Sequence, residues 1–248
     1  SEQIPTYLTT HPASEERMSY IDNWLHQHHE NKVRQKGDVG GFDLAHTRLV
    51  ALYTDEKAAL NRFTSELAAN PGDPMAHYGL ALVLTRMDKW GEAAGHMKLA
   101  IEGNAMATHM LQDLGRIYFH DGQYEKAYQS LSAGSSEKYP EGWLYLGRTQ
   151  MEMGRVAEAR DTFGELVRYH PDYTQAYYFL GESSGRLGDM FGAHYHLGQF
   201  YQRKGDLKNA GFHLNRALKL ATDDDQRQMV EHRLGDLDPK PSKPPKAG

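Results

Sequence analysis

The chain has 248 residues, a formal net charge of −5 and a mean hydropathy of −0.72. Its mildly acidic balance gives no electrostatic basis for binding nucleic acid, and it has no run of about 18 apolar residues to predict a membrane span. The absence of cysteine excludes disulfides and thiolate metal sites.

The N-terminal segment, residues 1–36, lies outside any repeat and contains one predicted helix. Ser14 is placed to cap this helix, and the two glutamates that follow suit its first turn. Met18, Ile21 and Leu25 then recur at helical spacing. The pattern predicts an amphipathic helix from residue 14 to about residue 29, preceded by an extended His-Pro loop. Because such a helix has no obvious partner within a repeat stack, we expect this chain to be a fragment of a longer protein.

From residue 37 to residue 222 the sequence repeats with a period near 34 residues. Each unit has a small residue in a first helix, an alanine twelve residues later and a bulky apolar residue four residues after that. Turns containing Gly or Asp separate the two helices, and Gly there allows the left-handed backbone that ends a helix. The small residues are Ala81, Gly115, Gly147 and Gly181; the alanines are Ala93, Ala127, Ala159 and Ala193; the bulky residues are Met97, Leu131, Phe163 and Leu197. A fixed period of this length predicts a solenoid rather than an irregular helical bundle.

The pattern resembles the tetratricopeptide repeat, including Pro171 after the second helix of the third unit. The resemblance implies an all-α, right-handed superhelical solenoid of tetratricopeptide-type helix pairs. A partial unit one period earlier has Ala59 and Phe63 in the second-helix positions. At the other end, a unit containing Gly198 and Leu214 begins only 17 residues after its predecessor. The helix at about residues 190–204 is therefore expected to belong to two successive units.

Beyond the repeats, residues 223–235 are compatible with a C-terminal helix. Residues 236–248 are rich in proline and lysine, and we expect them to be disordered.

A second resemblance arises in the N-terminal segment. This segment contains the motif Tyr-Leu-x-x-His-Pro-x-x-Glu-x-Arg. The motif residues are Tyr7, Leu8, His11, Pro12, Glu15 or Glu16, and Arg17. This segment resembles the end of the catalytic domain in the M48 family of zinc metallopeptidases, whose BepA-like envelope members continue into tetratricopeptide repeats. The resemblance implies that His11 is a regulatory loop residue able to reach the active-site zinc of a parent protein; otherwise it is an ordinary loop histidine.

A zinc-peptidase site requires His-Glu-x-x-His, and this chain lacks that motif. We therefore expect no catalytic residues, no metal site and no cofactor in this chain, with zinc only in the parent protein. His26 and His29 are one helical turn apart, but no carboxylate nearby completes a ligand set, so adventitious metal binding is the better interpretation.

The first helices of such repeats are expected to line the concave surface. Their predicted binding groove is rich in Arg and Tyr, which are favoured at binding hot spots. Alternatively, some of the aromatic side chains simply pack against the next helix. The groove consists of Tyr78, Arg86, His109, Gln112, Arg116, Phe119, His120, Leu144, Arg148, Tyr178, Glu182, Arg186, Tyr195, Gln199 and Arg203.

Two functional interpretations remain open. The first is a non-catalytic docking domain, in the periplasm or cell envelope, that binds protein or extended peptide segments for a zinc metallopeptidase and contacts its peptidase domain. The second is a free-standing repeat adaptor of an envelope secretion or assembly complex. No constellation of residues supports an enzyme.

Overall fold

In this computed structural model the described residues are 39–102, 107–134 and 139–237; His11, the predicted N-terminal helix and most of the proline-rich tail lie outside them. The described residues form helices joined by short turns, with no strand among them. The helices are α1 (Val39–Tyr53), α2 (Glu56–Ala69), α3 (Pro74–Arg86), α4 (Trp90–Glu102), α5 (Ala107–His120), α6 (Tyr124–Ala133), α7 (Pro140–Glu152), α8 (Val156–Tyr169), α9 (Thr174–Arg186), α10 (Met190–Arg203), α11 (Leu207–Leu220) and α12 (Asp224–Gly235).

Successive helices pack as antiparallel pairs, as the repeat period predicts. We call α1, α3, α5, α7 and α9 the first helices of their pairs and α2, α4, α6, α8 and α10 the second helices. First helices also contact one another directly, α1 against α3, α5 against α7 and α7 against α9. The predicted all-α solenoid is thereby confirmed for the described residues.

The turns within the pairs share one backbone feature. Residues with positive φ angles end α3, α5, α7, α9 and α10, and they are Asp88, Gly122, Gly154, Gly188 and Gly205. Glycine adopts this region without steric cost, and aspartate is among the few other residues that tolerate it. The left-handed turns therefore lie where the sequence pattern places them.

The helix crossings depend on the small residues of the repeat. A Cβ atom added to Gly147 would lie 2.5 Å from Cε1 of Phe163, and one added to Gly181 would lie 3.0 Å from Cγ of Leu197. The alanines at the start of the second helices are also buried, with Ala127 and Ala159 fully so. Helices α5, α7 and α9 each thus accept a bulky side chain that lies 16 residues later in the sequence.

Helix α10 packs against both α9 and α11, as expected for a helix shared by two units. Leu197 of α10 lies over Gly181 of α9, whereas Gly198 of α10 receives Leu214 of α11; a Cβ on Gly198 would lie 2.7 Å from Leu214. The same helix therefore contributes the bulky side chain of its crossing with α9 and the small residue of its crossing with α11.

Helix α12 covers the last pair. Val230 is fully buried against α11, while most of the other α12 residues are exposed and polar. Asp224 and Asp225 lie in its first turn and Arg233 in its last, which suits the helix dipole. Within the residues described, no helix combines the length and apolar character needed to cross a membrane.

The crossing at Gly147 gives a direct stability test. Gly147→Leu should overpack the contact with Phe163 and lower the free energy of unfolding by about 1–3 kcal/mol. Gly164→Leu on α8 is the matched control, because a Cβ there meets no atom within 4 Å. Urea denaturation of both variants measures the difference, and an unaltered midpoint for Gly147→Leu would contradict the crossing.

Candidate functional site

A cavity with a volume of about 670 Å³ lies against the first helices. We call it the Asp113 cavity. Polar and aromatic side chains line it together with a few apolar ones. Its lining includes Leu44, Arg48, Tyr78, His109, Gln112, Asp113, Arg116, Tyr139, Glu141, Gly142 and Tyr173. The cavity thus draws side chains from α1, α3, α5 and α7 and from the turn before α9.

A buried carboxylate organises the floor of this cavity. Asp113 is only 4% exposed and forms an ion pair with Arg48, 65 residues earlier. The Tyr78 hydroxyl donates to Asp113 Oδ2 at 2.8 Å, and Arg48 Nη1 donates to the Tyr78 hydroxyl at 2.9 Å. Burial raises the pKa of Tyr78, and the charge of Asp113 adds to that rise, so the hydroxyl stays protonated and remains a donor.

Arg116 extends the network to α7. Its Nη1 lies 3.4 Å from Asp113 Oδ1 and 3.2 Å from Glu141 Oε1. Its Nε is buried and has no hydrogen-bond partner within the described part of the chain. The two arginines, Asp113 and Glu141 balance in formal charge, and the network links the first helices of four successive pairs.

Aromatic rings and the Gln112 amide form the rest of the cavity wall. The His109 and Tyr139 rings meet edge to face with centroids 3.8 Å apart. Burial lowers the pKa of His109, although Asp113 opposes that shift, so the imidazole is neutral near neutral pH. Gln112 Nε2 donates to the Gly134 carbonyl at 2.6 Å, which fixes the amide in the wall.

A second cluster on the first helices surrounds Arg148. The guanidinium carbon of Arg148 lies 4.5 Å from the ring centre of Phe119, 5.0 Å from that of Tyr145 and 5.5 Å from that of Phe179. We call these four residues the Arg148 cluster. His120 adjoins the cluster, with Nε2 3.1 Å from the Tyr145 hydroxyl.

The structure places the predicted groove residues in several environments. Tyr78, Gln112, Phe119, Leu144, Tyr195 and Gln199 are buried and pack within the stack, although Tyr78 and Gln112 also line the Asp113 cavity. His109 and Arg116 line that cavity, and Arg148 and His120 lie at the second cluster.

The other predicted groove residues are engaged in contacts of their own. Arg86 donates to the Ala51 carbonyl of α1 at 2.8 Å, and Arg203 donates to the Tyr177 hydroxyl at 2.9 Å. Arg186 pairs with Glu182 on its own helix, while Tyr178 is 39% exposed and contacts the Phe200 ring. These residues do not form one continuous exposed strip, and a binding role for them stays a prediction.

The sequence pattern missed Arg48, Asp113, Tyr139, Glu141 and Tyr173 as site residues. One signal could have found Asp113: it is an acid inside the otherwise apolar middle of a first helix, where the aligned positions hold Gly79, Tyr145 and Phe179. No such signal marks its partner Arg48.

Two histidine pairs occupy equivalent positions in different helix pairs. His77 of α3 and His96 of α4 approach with Nδ1 atoms 2.9 Å apart, and His194 of α10 and His213 of α11 do so at 3.0 Å. Because His77 Nε2 lies 3.0 Å from the Pro71 carbonyl, it carries the proton, so Nδ1 of His77 accepts from His96. Over the described residues, no group of three or more His, Asp or Glu side chains is placed to hold a metal ion.

Comparison with known families identifies three segments of the chain. Family models described as tetratricopeptide repeat match residues 57–107, 118–182 and 191–224, together more than half of the chain. The match to residues 191–224 begins in α10, in agreement with its place as the first helix of a further unit. A search of curated proteins finds no match.

Solved structures with the same fold share little sequence with this chain. MamA from Desulfovibrio magneticus is 14% identical over 70% of this chain and 98% of its own, with a TM-score of 0.56. PilW, a type IV pilus biogenesis factor, is 13% identical over 81% of this chain and 94% of its own, with a TM-score of 0.58. A tetratricopeptide repeat protein from Parabacteroides merdae is 12% identical over 90% of this chain and 96% of its own, with a TM-score of 0.51. At these identities the likeness shows the fold alone.

The buried carboxylate of Asp113 should stabilise the folded state. Asp113→Asn should cost about 1.5–3 kcal/mol in free energy of unfolding, because it removes the charge that two arginines face. Asp161→Asn removes an exposed carboxylate beside Arg160 and should change stability little. Equal urea midpoints for the two variants would show that the Asp113 network contributes little.

The histidine pairs predict acid sensitivity. Burial lowers the pKa of His96 and His213 below the ordinary 6.5, and the partner histidine in each pair adds to the shift. On acidification these histidines therefore bind protons at a higher pH in the unfolded chain than in the folded chain. The free energy of unfolding should accordingly fall as pH drops below about 6.5. Urea midpoints at about pH 7.5 and 5.5 measure this fall.

The variant His96→Gln/His213→Gln should show a smaller loss of stability on acidification than the native sequence. His232→Gln on α12 is the control, since that side chain is 79% exposed and belongs to neither pair. An equal loss in the double variant and in the native chain would place the acid sensitivity elsewhere.

Proposed function

We propose that this chain, which belongs to the tetratricopeptide-repeat family, docks protein partners through the surface formed by its first helices. The Asp113 cavity is the observation that carries the proposal. Its volume, about 670 Å³, is sufficient for side chains of a bound segment, and its wall offers arginine and tyrosine side chains that contribute strongly at protein interfaces. The repeat fold is a protein-binding fold.

An extended segment of a partner is the ligand form that suits this surface. The Asp113 cavity and the Arg148 cluster lie on neighbouring first helices. Arg116 joins them, because it lines the cavity and its guanidinium carbon is 5.4 Å from the ring centre of Tyr145 in the cluster. A chain crossing α5 and α7 could therefore contact both. Tyrosine and arginine contribute large contact areas together with hydrogen-bonding groups.

The finer proposal is that the chain is the non-catalytic docking region of a zinc metallopeptidase in the periplasm or cell envelope. This proposal rests on the resemblance of residues 7–17 to the end of an M48 catalytic domain, because the matching family models describe repeats alone. The zinc would belong to the parent's peptidase domain, and His11 would reach it from the loop that precedes the repeats.

The alternative is a free-standing adaptor in an envelope secretion or assembly complex. The same first-helix surface would then bind a component of that complex. The reading frame that precedes Ser1 distinguishes the two proposals: an upstream His-Glu-x-x-His helix supports the peptidase, and its absence there supports the adaptor.

Peptide binding tests the docking surface directly. An array of short synthetic peptides, varied in sequence and unable to fold, is probed with this chain and with the variant Arg116→Glu/Arg148→Glu. The native chain should bind a subset of the peptides, and the double variant should lose at least about tenfold in affinity for that subset, since two charges at the interface are reversed.

The control is Arg160→Glu/Arg168→Glu, which makes the same charge change on the second helix α8, where both arginines are exposed and paired with acids. Circular dichroism confirms that each variant is folded. If no peptide binds the native chain, or if the α8 variant loses affinity as much as the first-helix variant, the proposed docking surface is wrong.

A further inference from the structure

Arg148 differs from the other arginines of the first helices in its hydrogen bonding. Its guanidinium is partly buried among Phe119, Tyr145 and Phe179, yet no carboxylate, carbonyl or hydroxyl within the described ranges accepts a hydrogen bond from it. By contrast, Arg48, Arg86 and Arg116 each donate to an oxygen within the fold. Aromatic stacking contacts the faces of a guanidinium and leaves its N–H donors unused at the edge.

The repeat itself shows what Arg148 lacks. Arg116 directly follows Gly115, and Arg148 directly follows the equivalent Gly147. Arg116 has two acidic neighbours, Asp113 on α5 and Glu141 on α7.

In the next unit neither acid is present. Asp113 lies two residues before Gly115, and the residue two before Gly147 is Tyr145. Glu141 lies six residues before Gly147, and the residue six before Gly181 is Gln175. Both carboxylates that neutralise Arg116 are thus replaced, at equivalent positions, by uncharged side chains.

The surroundings of Arg148 reinforce this excess of positive charge. The nearby His120 has its pKa lowered first by burial and then by the charges of Arg116 and Arg148, with Asp88 acting weakly in the opposite sense. Arg116 is already paired, so the unpaired cation of this region is that of Arg148. A cation held between aromatic rings, partly shielded from water, interacts more strongly with an anion than an exposed one does.

We infer that the Arg148 cluster is a subsite for one acidic side chain, aspartate or glutamate, of an extended partner segment lying across α7. The carboxylate would bind the guanidinium edge of Arg148 in the way that Asp113 and Glu141 bind Arg116, and the aliphatic part of the side chain would contact the partly exposed rings of Tyr145 and Phe179. The inference rests on the proposed docking function and specifies the chemistry that its second subsite selects.

The substitution Gln175→Glu offers a test that leaves the cluster intact. Gln175 is exposed near the start of α9, and glutamate there would supply the carboxylate that Glu141 supplies to Arg116. Peptides that bind the native chain are synthesised in pairs, with glutamate or with glutamine at each acidic position. The native chain should prefer the glutamate member of at least one pair by about tenfold, in line with a hydrogen bond to a charged group.

Both Gln175→Glu and Arg148→Gln should abolish this preference, so that each variant binds the glutamate and glutamine members of a pair with equal affinity. Asn61→Glu on the second helix α2 adds the same charge at another exposed position and should leave the preference unchanged. The Arg148 Nε–H resonance, followed by NMR, should shift on addition of the glutamate peptide only.

The outcomes separate the two proposals. If the native chain binds peptides but treats glutamate and glutamine members alike, the acidic subsite is wrong and the docking surface stands. Persistence of the preference in Arg148→Gln likewise overturns the subsite. If no peptide binds the native chain, both the proposed docking function and the proposed acidic subsite are wrong.

Discussion

The close approach of a bulky side chain to a small residue, 16 positions apart, is the contact on which the rest of the structure depends. Phe163 over Gly147 and Leu214 over Gly198 bring the helices of a pair together so closely that a methyl group would not fit between them. A single pair buries too little apolar surface to be stable alone, so neighbouring pairs stack. The stacking aligns the first helices, and that alignment brings Arg48, distant in sequence, to Asp113.

The sequence predicts this framework because the framework is local. Gly147, Ala159 and Phe163 recur in phase with their counterparts, and each contact joins residues within one period of the chain. The left-handed turns at Asp88 and Gly122 are likewise determined by the few residues around them. The helix α1 is harder to place from its sequence, because Thr47 stands where other first helices have glycine or alanine, and α1 packs more extensively on α3 than on α2.

The site is less predictable because a repeat position specifies the helix face on which a side chain lies but not how deeply that side chain is buried. The sequence pattern predicts Tyr78, Phe119 and Tyr195 on the groove. Each side chain is less than 10% exposed, because the rings fill space between neighbouring helices. Within the Asp113 network, Arg48, Tyr78 and Asp113 are 30 to 65 positions apart, and periodicity carries no information about which polar groups meet over that distance. Once the contacts of Arg116 are known, however, the repeat predicts the surroundings of Arg148, because the equivalent positions of the next unit show which residues replace the acids.

The shared helix α10 has a consequence for how the chain unfolds. In a regular array each pair is a separate unit, coupled to its neighbours only through an interface, and the ends can fray one pair at a time. Here Leu197 and Gly198 are adjacent residues of one helix that complete two different crossings. Loss of α10 removes both crossings at once, so α9, α10 and α11 gain or lose their order as a single cooperative block.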